Sequence, residues 1–266
     1  MSSPESGQLI DTSRPHITRV YDYWLGGKDN FAADREAGEQ LLDPAQGGHP
    51  GLRKLAQQNR RFVIKAVRWA AAVKNIGQFI DLGCGLPATP SVHDSARSAE
   101  PGARVVYVDK DPLVLCHVAA IQAKGEGLAA VKADVTEPGR VLEVIAGLGI
   151  IDMTEPLCLV FGGTLSAMDA ATARATVAGY AETLAEGSAV IISCASFADE
   201  GIAARIAEVL GGEWRSHPAA DVASFFEAGG VRVMRGRVAD VRCWPMMREE
   251  EPTAAVIGGV GIKGTP

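Results

Sequence analysis

The sequence has few cysteines and no pair of them at metal-ligand or redox spacing. The five are odd in number, lie far apart and form no C-x-x-C motif: Cys84, Cys116, Cys158, Cys194 and Cys243. This pattern excludes a disulfide framework and a typical structural zinc site, and no other group of residues suggests a metal site. The first residues, MSSPESGQLIDTSRPH, lack the basic and then apolar order of a signal peptide. Because no apolar run reaches the ~20 residues that span a bilayer, we expect a cytoplasmic protein without a membrane segment.

An excess of basic charge is also lacking. The 266 residues contain 26 Lys and Arg against 32 Asp and Glu, a formal net charge of −6. This balance argues against a nucleic-acid-binding protein that works by phosphate neutralisation. Residues 1–75 nevertheless carry a net charge of +3, and between Arg53 and Arg68 apolar residues recur at helical spacing. We predict an amphipathic helix with a solvated basic face there, and an anionic partner is the alternative.

Short β-branched runs alternate with helical patterns from residue 78 onward. The runs at 78–83, 104–109, 129–134, 157–162 and 189–194 predict five parallel strands of successive βαβ units. Two helical stretches follow at 199–210 and 218–228, and then two strand-like stretches at 231–244 and 254–263. The link between the last two is too short for a crossover helix, so they should be antiparallel neighbours. The acidic triplet at 249–251 within that link predicts a surface turn.

These elements predict an α/β protein with a Rossmann-like, seven-stranded, mostly parallel sheet and a C-terminal antiparallel hairpin. Residues 1–75 show no strand signal. We therefore expect residues 1–75 to be a helical extension or lid that is not an independent domain, packed on a sheet domain at 76–266.

A glycine loop follows the first strand, in the stretch FIDLGCGLPATPSVHD. Gly83 and Gly85 allow a tight turn at the carboxyl end of the strand, where open α/β sheets bind ligands. With Ala88 the loop matches the G-x-G-x-x-A dinucleotide pattern. However, the carboxylate of Asp81 would oppose a pyrophosphate, and Pro87 and Pro90 supply no N–H donors. S-adenosylmethionine, which carries an ammonium group and no phosphate, fits this loop better.

Two further acids end the next two strands. The carboxylate of Asp109 matches the two hydroxyls of an adenosine ribose. Asp134 can accept a hydrogen bond from the exocyclic amine of adenine, and Val135 offers a backbone N–H to the ring. Any one of these acids could be a simple cap, but three at successive strand ends beside a glycine loop predict an adenosine-containing cofactor.

DLGCG with these strand-end acids resembles the class I S-adenosylmethionine-dependent methyltransferases. RPHITRVYDYWLGGKDNFAADREAGEQLL and DLGCGLPATPSVHDSAR resemble, more narrowly, an actinobacterial methyltransferase family formerly known as a domain of unknown function. The resemblance implies that the N-terminal motif folds over the cofactor, through residues among Tyr21, Tyr23, Gly26 and Gly27. It also implies cofactor contacts along the sheet edge. The full predicted cofactor set is Tyr23, Gly27, Asp81, Gly83, Cys84, Gly85, Pro87, Asp109, Lys110, Asp134, Val135 and Phe161.

The spacing of the aromatic residues in the N-terminal motif separates Tyr21 from Tyr23. Tyr21 and Trp24 are spaced i to i+3, which favours ordinary packing of a helix on the sheet. Tyr23 faces elsewhere on such a helix, and we therefore expect it to be the better cofactor contact.

No single catalytic residue is demanded, because in methyl transfer the cofactor supplies the reactive group. A base for an oxygen nucleophile could come from His16, Tyr21 or Asp29. The stretch FGGTLSAMD after the fourth strand lacks the Asn/Asp-Pro-Pro-Tyr/Phe motif of many enzymes that methylate amino groups. It also has Gly162-Gly163-Thr164 where relatives carry a histidine.

The function predicted from the sequence is in-line methyl transfer from S-adenosylmethionine to a small molecule. No nucleic-acid partner is expected. The alternatives are a regulatory protein that binds S-adenosylmethionine without catalysis and an NAD-dependent oxidoreductase.

Overall fold

The computed structural model describes residues 11–212, 214–245 and 254–264, so the surface turn predicted at 249–251 lies outside the described residues. A single sheet forms the centre of the fold. Its strands are β1 (Gln78–Leu82), β2 (Arg104–Asp109), β3 (Leu128–Lys132), β4 (Cys158–Gly162), β5 (Ala189–Phe197), β6 (Val231–Val233), β7 (Ala239–Asp240) and β8 (Ala254–Lys263). The order across the sheet is β3-β2-β1-β4-β5-β8-β6, with β7 also paired to β8.

The directions of the strands confirm the predicted mostly parallel sheet. Strands β1 to β5 pair in parallel, whereas β8 runs antiparallel to β5, β6 and β7. The carboxyl ends of β1 to β4 therefore meet at one edge of the sheet.

The sheet has eight strands in the described residues, and the predicted number of seven is wrong. The stretch 231–244 alternates like one strand but forms β6 and β7, separated by a turn at Met234–Gly236. Arg235 adopts a left-handed conformation with φ 58°, which an extended strand cannot contain. Beyond β7, the Asp240 carboxylate accepts a hydrogen bond from the Arg242 N–H and begins another turn.

Helices cover both faces of the sheet. Their bounds are α1 (Ile17–Leu25), α2 (Ala32–Leu42), α3 (Leu52–Lys74), α4 (Val92–Arg97), α5 (Pro112–Ile121), α6 (Pro138–Leu148), α7 (Ala170–Ala181), α8 (Glu200–Leu210) and α9 (Ala219–Ala228). Side chains alternate between the faces along each strand. Ile80 and Leu82 of β1 belong to the apolar core under α6, α7 and α9, while Phe79 belongs to the core under α3, α4 and α5. Asp81 follows the same alternation and faces α3.

The long helix α3 joins the N-terminal region to the sheet, and it confirms the predicted amphipathic helix. Phe62, Val63 and Ala66 are buried in the core that they share with β1, β2 and β4. Arg61 and Lys65 lie on the exposed face.

Helices α1 and α2 form a second layer outside this core. Val20 and Trp24 of α1 pack with Leu41 of α2 and with α8. Arg19 and Asp34, both buried, connect α1 to α2 through an ion pair of 2.9 Å. In the described part of the chain, no helix combines the length and the apolar character that a membrane span requires.

Candidate functional site

A cavity of about 300 Å³ lies at the carboxyl edge of the sheet, beyond the ends of β1 to β4. The loops after these strands form its floor, and α1 and α3 cover it. Thr18 of α1 comes close to the glycine loop, since a Cβ atom at Gly85 would lie 3.4 Å from Thr18 Cγ2. The N-terminal helices are thus part of the wall of the cavity.

The glycine loop after β1 turns back against β2. Gly83 and Gly85 have φ of 70° and 66°, which strain any residue other than glycine. The N–H groups of Gly83 and Cys84 both donate to the carbonyl oxygen of Val108, and the Gly85 N–H donates to the Asp109 carboxylate. Three consecutive N–H groups are therefore already used inside the protein, so they are not free to hold a pyrophosphate.

The Asp81 carboxyl group lies beneath α3 at the end of β1 and is buried. No donor among the described residues forms a hydrogen bond with it. Burial raises the pKa of Asp81 to about 7, opposed by the nearby Arg60 guanidinium and reinforced by Asp109. A buried carboxylate that lacks a donor and lines a cavity is suited to bind a cationic group.

Asp109 lies at the end of β2, beside the glycine loop. One carboxylate oxygen accepts the Gly85 N–H at 3.1 Å and the other accepts the Asp111 N–H at 3.0 Å. Burial raises its pKa, although these two hydrogen bonds oppose the shift. Each oxygen keeps a lone pair, so the side chain can still accept two hydroxyl groups.

Asp134 lies after β3 at the far side of the cavity. One of its carboxylate oxygens accepts hydrogen bonds from the N–H and the hydroxyl of Thr136, and the other lies 3.4 Å from Lys110 Nζ. Burial raises the pKa of Asp134, but the Thr136 hydrogen bonds and the Lys110 charge outweigh it and the net pKa is lowered. Asp134 is therefore an ionised acceptor at neutral pH.

The side of the cavity at the end of β4 is largely apolar. Leu25, Val63, Ala167, Met168 and Trp214 line it. Trp214 Nε1 is buried and has no hydrogen-bond partner among the described residues. Gly162 permits the close approach of α3, because a Cβ atom there would lie 3.1 Å from Val63 Cγ2. The Gly162-Gly163-Thr164 sequence, which replaces the histidine-containing stretch of relatives, therefore shapes this wall.

Comparison with known proteins assigns the family. The sequence model of a family described as S-adenosyl methyltransferase matches residues 3–264. The chain belongs to this family. The cofactor of this family is S-adenosylmethionine. No curated protein matches the chain.

Solved structures agree with this assignment. A protein from Thermobifida fusca with a methyltransferase designation is 32% identical, with a TM-score of 0.84 over 99% of this chain and all of that one. A DUF574 family protein from Streptomyces avermitilis is 29% identical, with a TM-score of 0.82 over 96% of this chain and 99% of that one. An S-adenosylmethionine-dependent methyltransferase from Clostridium acetobutylicum, 12% identical, shares the fold alone, with a TM-score of 0.52 over 79% of this chain and 92% of that one.

The structure brings most of the predicted cofactor residues of this methyltransferase to the cavity. These are Asp81, Gly83, Cys84, Gly85, Asp109, Lys110, Asp134 and Val135. Of the three base candidates, His16 and Tyr21 line the cavity. Asp29 lies outside it, 3.4 Å from His117 of α5.

Four predicted cofactor residues do not line the cavity. Tyr23 points to α2, where its hydroxyl donates to Glu39 at 2.5 Å and the Arg53 guanidinium lies over its ring. Phe161 is fully buried in the core on the opposite face. Gly27 forms the turn after α1, its N–H donating to the Asp22 carbonyl oxygen, and Pro87 is not one of the residues that line the cavity.

Sequence reasoning missed the contributions of α3 and of the segment after α8. Asn59 and Arg60 of α3 and Trp214 line the cavity. A signal for Asn59 was present, because it occupies a position between Ala56 and Phe62 in the apolar repeat and yet is polar. A polar residue within an apolar helical stripe often has a specific partner. Trp214 gave no comparable signal, since it lies in a connecting segment without periodicity.

Proposed function

We propose that this methyltransferase holds S-adenosylmethionine along the ends of β1 to β3 and transfers its methyl group to a small molecule held beside β4. The observation that supports this division is the unequal lining of one cavity. Asp81, Asp109 and Asp134 lie on one side, whereas the wall of Leu25, Val63, Ala167, Met168 and Trp214 lies on the other. A mostly apolar wall beside a few polar groups suits a small organic acceptor.

The amino-acid end of the cofactor carries one positive and one negative charge, and the cavity offers a partner for each. The Asp81 carboxylate would bind the ammonium group. Arg60 would bind the carboxylate, since its charge lies beside Asp81 and its buried Nε has no hydrogen-bond partner among the described residues. Its Nη2 atom donates to the carbonyl oxygens of Ala88 and Pro90, which hold the guanidinium in place.

The nucleoside end would follow the next two strands. Asp109 has acceptor capacity for both ribose hydroxyls beside the glycine loop. The Asp134 carboxylate oxygen that faces Lys110 has a further lone pair and would accept the adenine amine, and the backbone N–H of Val135 would bind the ring. Lys110 reaches across from Asp109 to Asp134 and lies over this part of the cavity.

When bound, the cofactor supplies a methyl group on a positively charged sulfur, which an electron-rich atom of the acceptor attacks in line. The protein contributes position and the exclusion of water by α1 and α3. Tyr21 is not a base here, because its hydroxyl donates to the Ala56 carbonyl oxygen and burial raises its pKa. His16 lies 3.8 Å from Asp111, on the ribose side. We therefore assign the role of general base to neither residue, and any proton of the acceptor would pass to bulk water as the product leaves the cavity.

Formation of S-adenosylhomocysteine tests transfer to a small molecule. The protein and S-adenosylmethionine are incubated with either the small-molecule fraction or the macromolecular fraction of an extract of the source organism. We expect S-adenosylhomocysteine above background with the first fraction alone. Formation with the macromolecular fraction alone would contradict a small acceptor, and formation with neither would contradict transfer.

A further inference from the structure

A buried hydrogen-bond network fixes the Tyr21 side chain at the end of β4. The Asn59 amide nitrogen donates to the Tyr21 hydroxyl oxygen at 3.0 Å and to the Gly162 carbonyl oxygen at 3.2 Å. The Ser193 hydroxyl donates to the Asn59 amide oxygen at 2.6 Å. Asn59 and Ser193 are buried and belong to α3 and β5. The network thus connects α1 to the two strands that border the apolar wall.

The network also fixes the direction of the Tyr21 proton. The hydroxyl donates to the Ala56 carbonyl oxygen at 3.0 Å. A hydroxyl group has one proton and two lone pairs, and the Asn59 amide occupies one of these lone pairs. One lone pair therefore remains, on a side chain that lines the cavity. Burial raises the pKa of Tyr21, so the group stays neutral. Toward any further partner, the Tyr21 hydroxyl is therefore a hydrogen-bond acceptor and not a donor.

The neighbours of the Tyr21 hydroxyl oxygen indicate where this oxygen lies relative to the sulfur of the bound cofactor. The Gly162 carbonyl that shares the Asn59 amide ends β4, the neighbour of β1. Thr164, two residues later, donates its hydroxyl to the Leu82 carbonyl oxygen at 2.6 Å, directly before the glycine loop. The Tyr21 oxygen thus lies on the acceptor side of the glycine loop, between the site proposed for the amino-acid end and the apolar wall.

We propose that the remaining lone pair of Tyr21 binds the group carried by the cofactor at its sulfur position, with Asn59 and Ser193 as positioning residues. The inference rests on the proposed function. A neutral oxygen with its negative end toward the cavity attracts a methyl group on a cationic sulfur through C–H···O contacts. It attracts an ammonium group at the same position more strongly, since hydrogen bonds to charged groups are stronger. It gains nothing from an uncharged thioether.

Three ligands that differ at this position separate these cases by calorimetry. S-adenosylmethionine carries the cationic methyl group, sinefungin carries an amino group in its place, and S-adenosylhomocysteine carries neither. For Tyr21→Phe we expect affinity for sinefungin to fall about tenfold or more. Affinity for S-adenosylmethionine should fall about two- to fivefold, and affinity for S-adenosylhomocysteine should be unchanged.

Tyr23→Phe is the matched control, because it removes a hydroxyl from the same helix that points to Glu39 outside the cavity. It should leave all three affinities unchanged. Asn59→Leu, which removes the amide without adding a charge, and Ser193→Ala should reproduce the ligand ranking of Tyr21→Phe, with a smaller effect for Ser193→Ala. This ranking distinguishes positioning from a general loss of structure, which would weaken the three ligands equally.

Two results would overturn the inference while leaving the proposed function intact. One is an equal loss of affinity for all three ligands in Tyr21→Phe, and the other is no loss for any of them. If the unchanged protein binds none of the three, the proposed function fails and the inference fails with it.

Discussion

At the scale of single residues, we propose that Asp81 couples cofactor binding to pH. Its pKa is raised to about 7 by burial, so the carboxyl group is mostly protonated below that pH in the free protein. Binding an ammonium group requires the ionised form. We therefore expect calorimetry to show affinity for S-adenosylhomocysteine rising with pH, by up to about tenfold per unit below pH 7, and levelling off above it.

Asp81→Asn should bind weakly and without this pH dependence. Asp134→Asn is the control, since the pKa of Asp134 is lowered. Asp134→Asn should keep the pH dependence of affinity. Loss of the pH dependence in this control variant would contradict the role of Asp81.

The raised pKa of Asp81 also predicts that the stability of the folded protein changes with pH. Because the folded-state pKa of Asp81 lies above its unfolded value, the folded protein binds more protons between about pH 4 and pH 7. The contribution of this group to stability is present at low pH and is lost as the pH rises through 7. Without ligand, the melting temperature of Asp81→Asn relative to the unchanged protein should rise from pH 5 to pH 8. A change of about 1 kcal/mol corresponds to roughly 2–4 °C for a chain of this size.

Arg60 gives a prediction that concerns only one end of the cofactor. Arg60→Met should weaken S-adenosylhomocysteine by about tenfold or more, because it removes a charged partner of the carboxylate. Methylthioadenosine lacks the amino-acid end, so calorimetry should show its affinity unchanged. Arg61→Met is the matched control, since Arg61 lies on the exposed face of α3. Equal losses for both ligands in Arg60→Met would contradict the assignment.

At the scale of elements, the glycine loop depends on its contact with the segment after β4. A Cβ atom at Gly83 would lie 2.4 Å from Thr164 Cγ2, in addition to the strain from its positive φ. Gly83→Ala should therefore lower the free energy of unfolding by roughly 2–4 kcal/mol in urea denaturation. Gly85→Ala has the same strain, but its nearest contact would be 3.4 Å. Gly85→Ala should lower the free energy of unfolding by less than Gly83→Ala does. Equal losses in the two variants would contradict the contact with Thr164.

The elements also show what the sequence could and could not predict. The acids at 81, 109 and 134 were predictable because position within a parallel strand determines the edge of the sheet at which a residue lies. The orientation of α1 was not. This helix packs on α2 and α8 through Val20 and Trp24 and lines the cavity through Tyr21. The spacing of aromatic residues identifies a face, but it does not identify the neighbour that covers it. The spacing therefore predicts Tyr23 as the cofactor contact, whereas Tyr21 is the tyrosine of α1 that lines the cavity.

At the scale of the whole molecule, we propose that residues 1–75 and the sheet form one folding unit. Six buried side chains of α3 share a core with the sheet: Phe62, Val63, Ala66, Val67, Ala70 and Ala71. Burying a valine or phenylalanine contributes about 1.5–3 kcal/mol, and a domain has only about 5–15 kcal/mol of net stability.

Deletion of residues 1–75 should therefore abolish cooperative unfolding, as measured by near-ultraviolet circular dichroism in urea. Deletion of residues 1–50 retains α3 and should leave a cooperative transition with reduced cofactor affinity. A cooperative transition in the protein lacking residues 1–75 would show that the sheet is an independent domain.

The whole sheet was predictable except for the strands that residues 231–244 form. The five parallel strands were predictable because strand-like and helical patterns of hydrophobicity alternate along the chain. Burial of the sheet on both faces dictates these patterns. The eighth strand was missed because 231–244 keeps a strand-like alternation across Arg235, where the backbone turns left-handed. The alternation of apolar and polar residues does not reveal such a turn when the left-handed residue is not glycine.

Binding of the cofactor by the unchanged protein tests the central claim most directly. Calorimetric titration with S-adenosylhomocysteine and, separately, with NAD compares a nucleoside that carries an amino acid with one that carries a pyrophosphate. We predict saturable binding of S-adenosylhomocysteine at one site per chain, abolished in Asp81→Ala, and no binding of NAD. Binding of NAD without binding of S-adenosylhomocysteine would contradict the account.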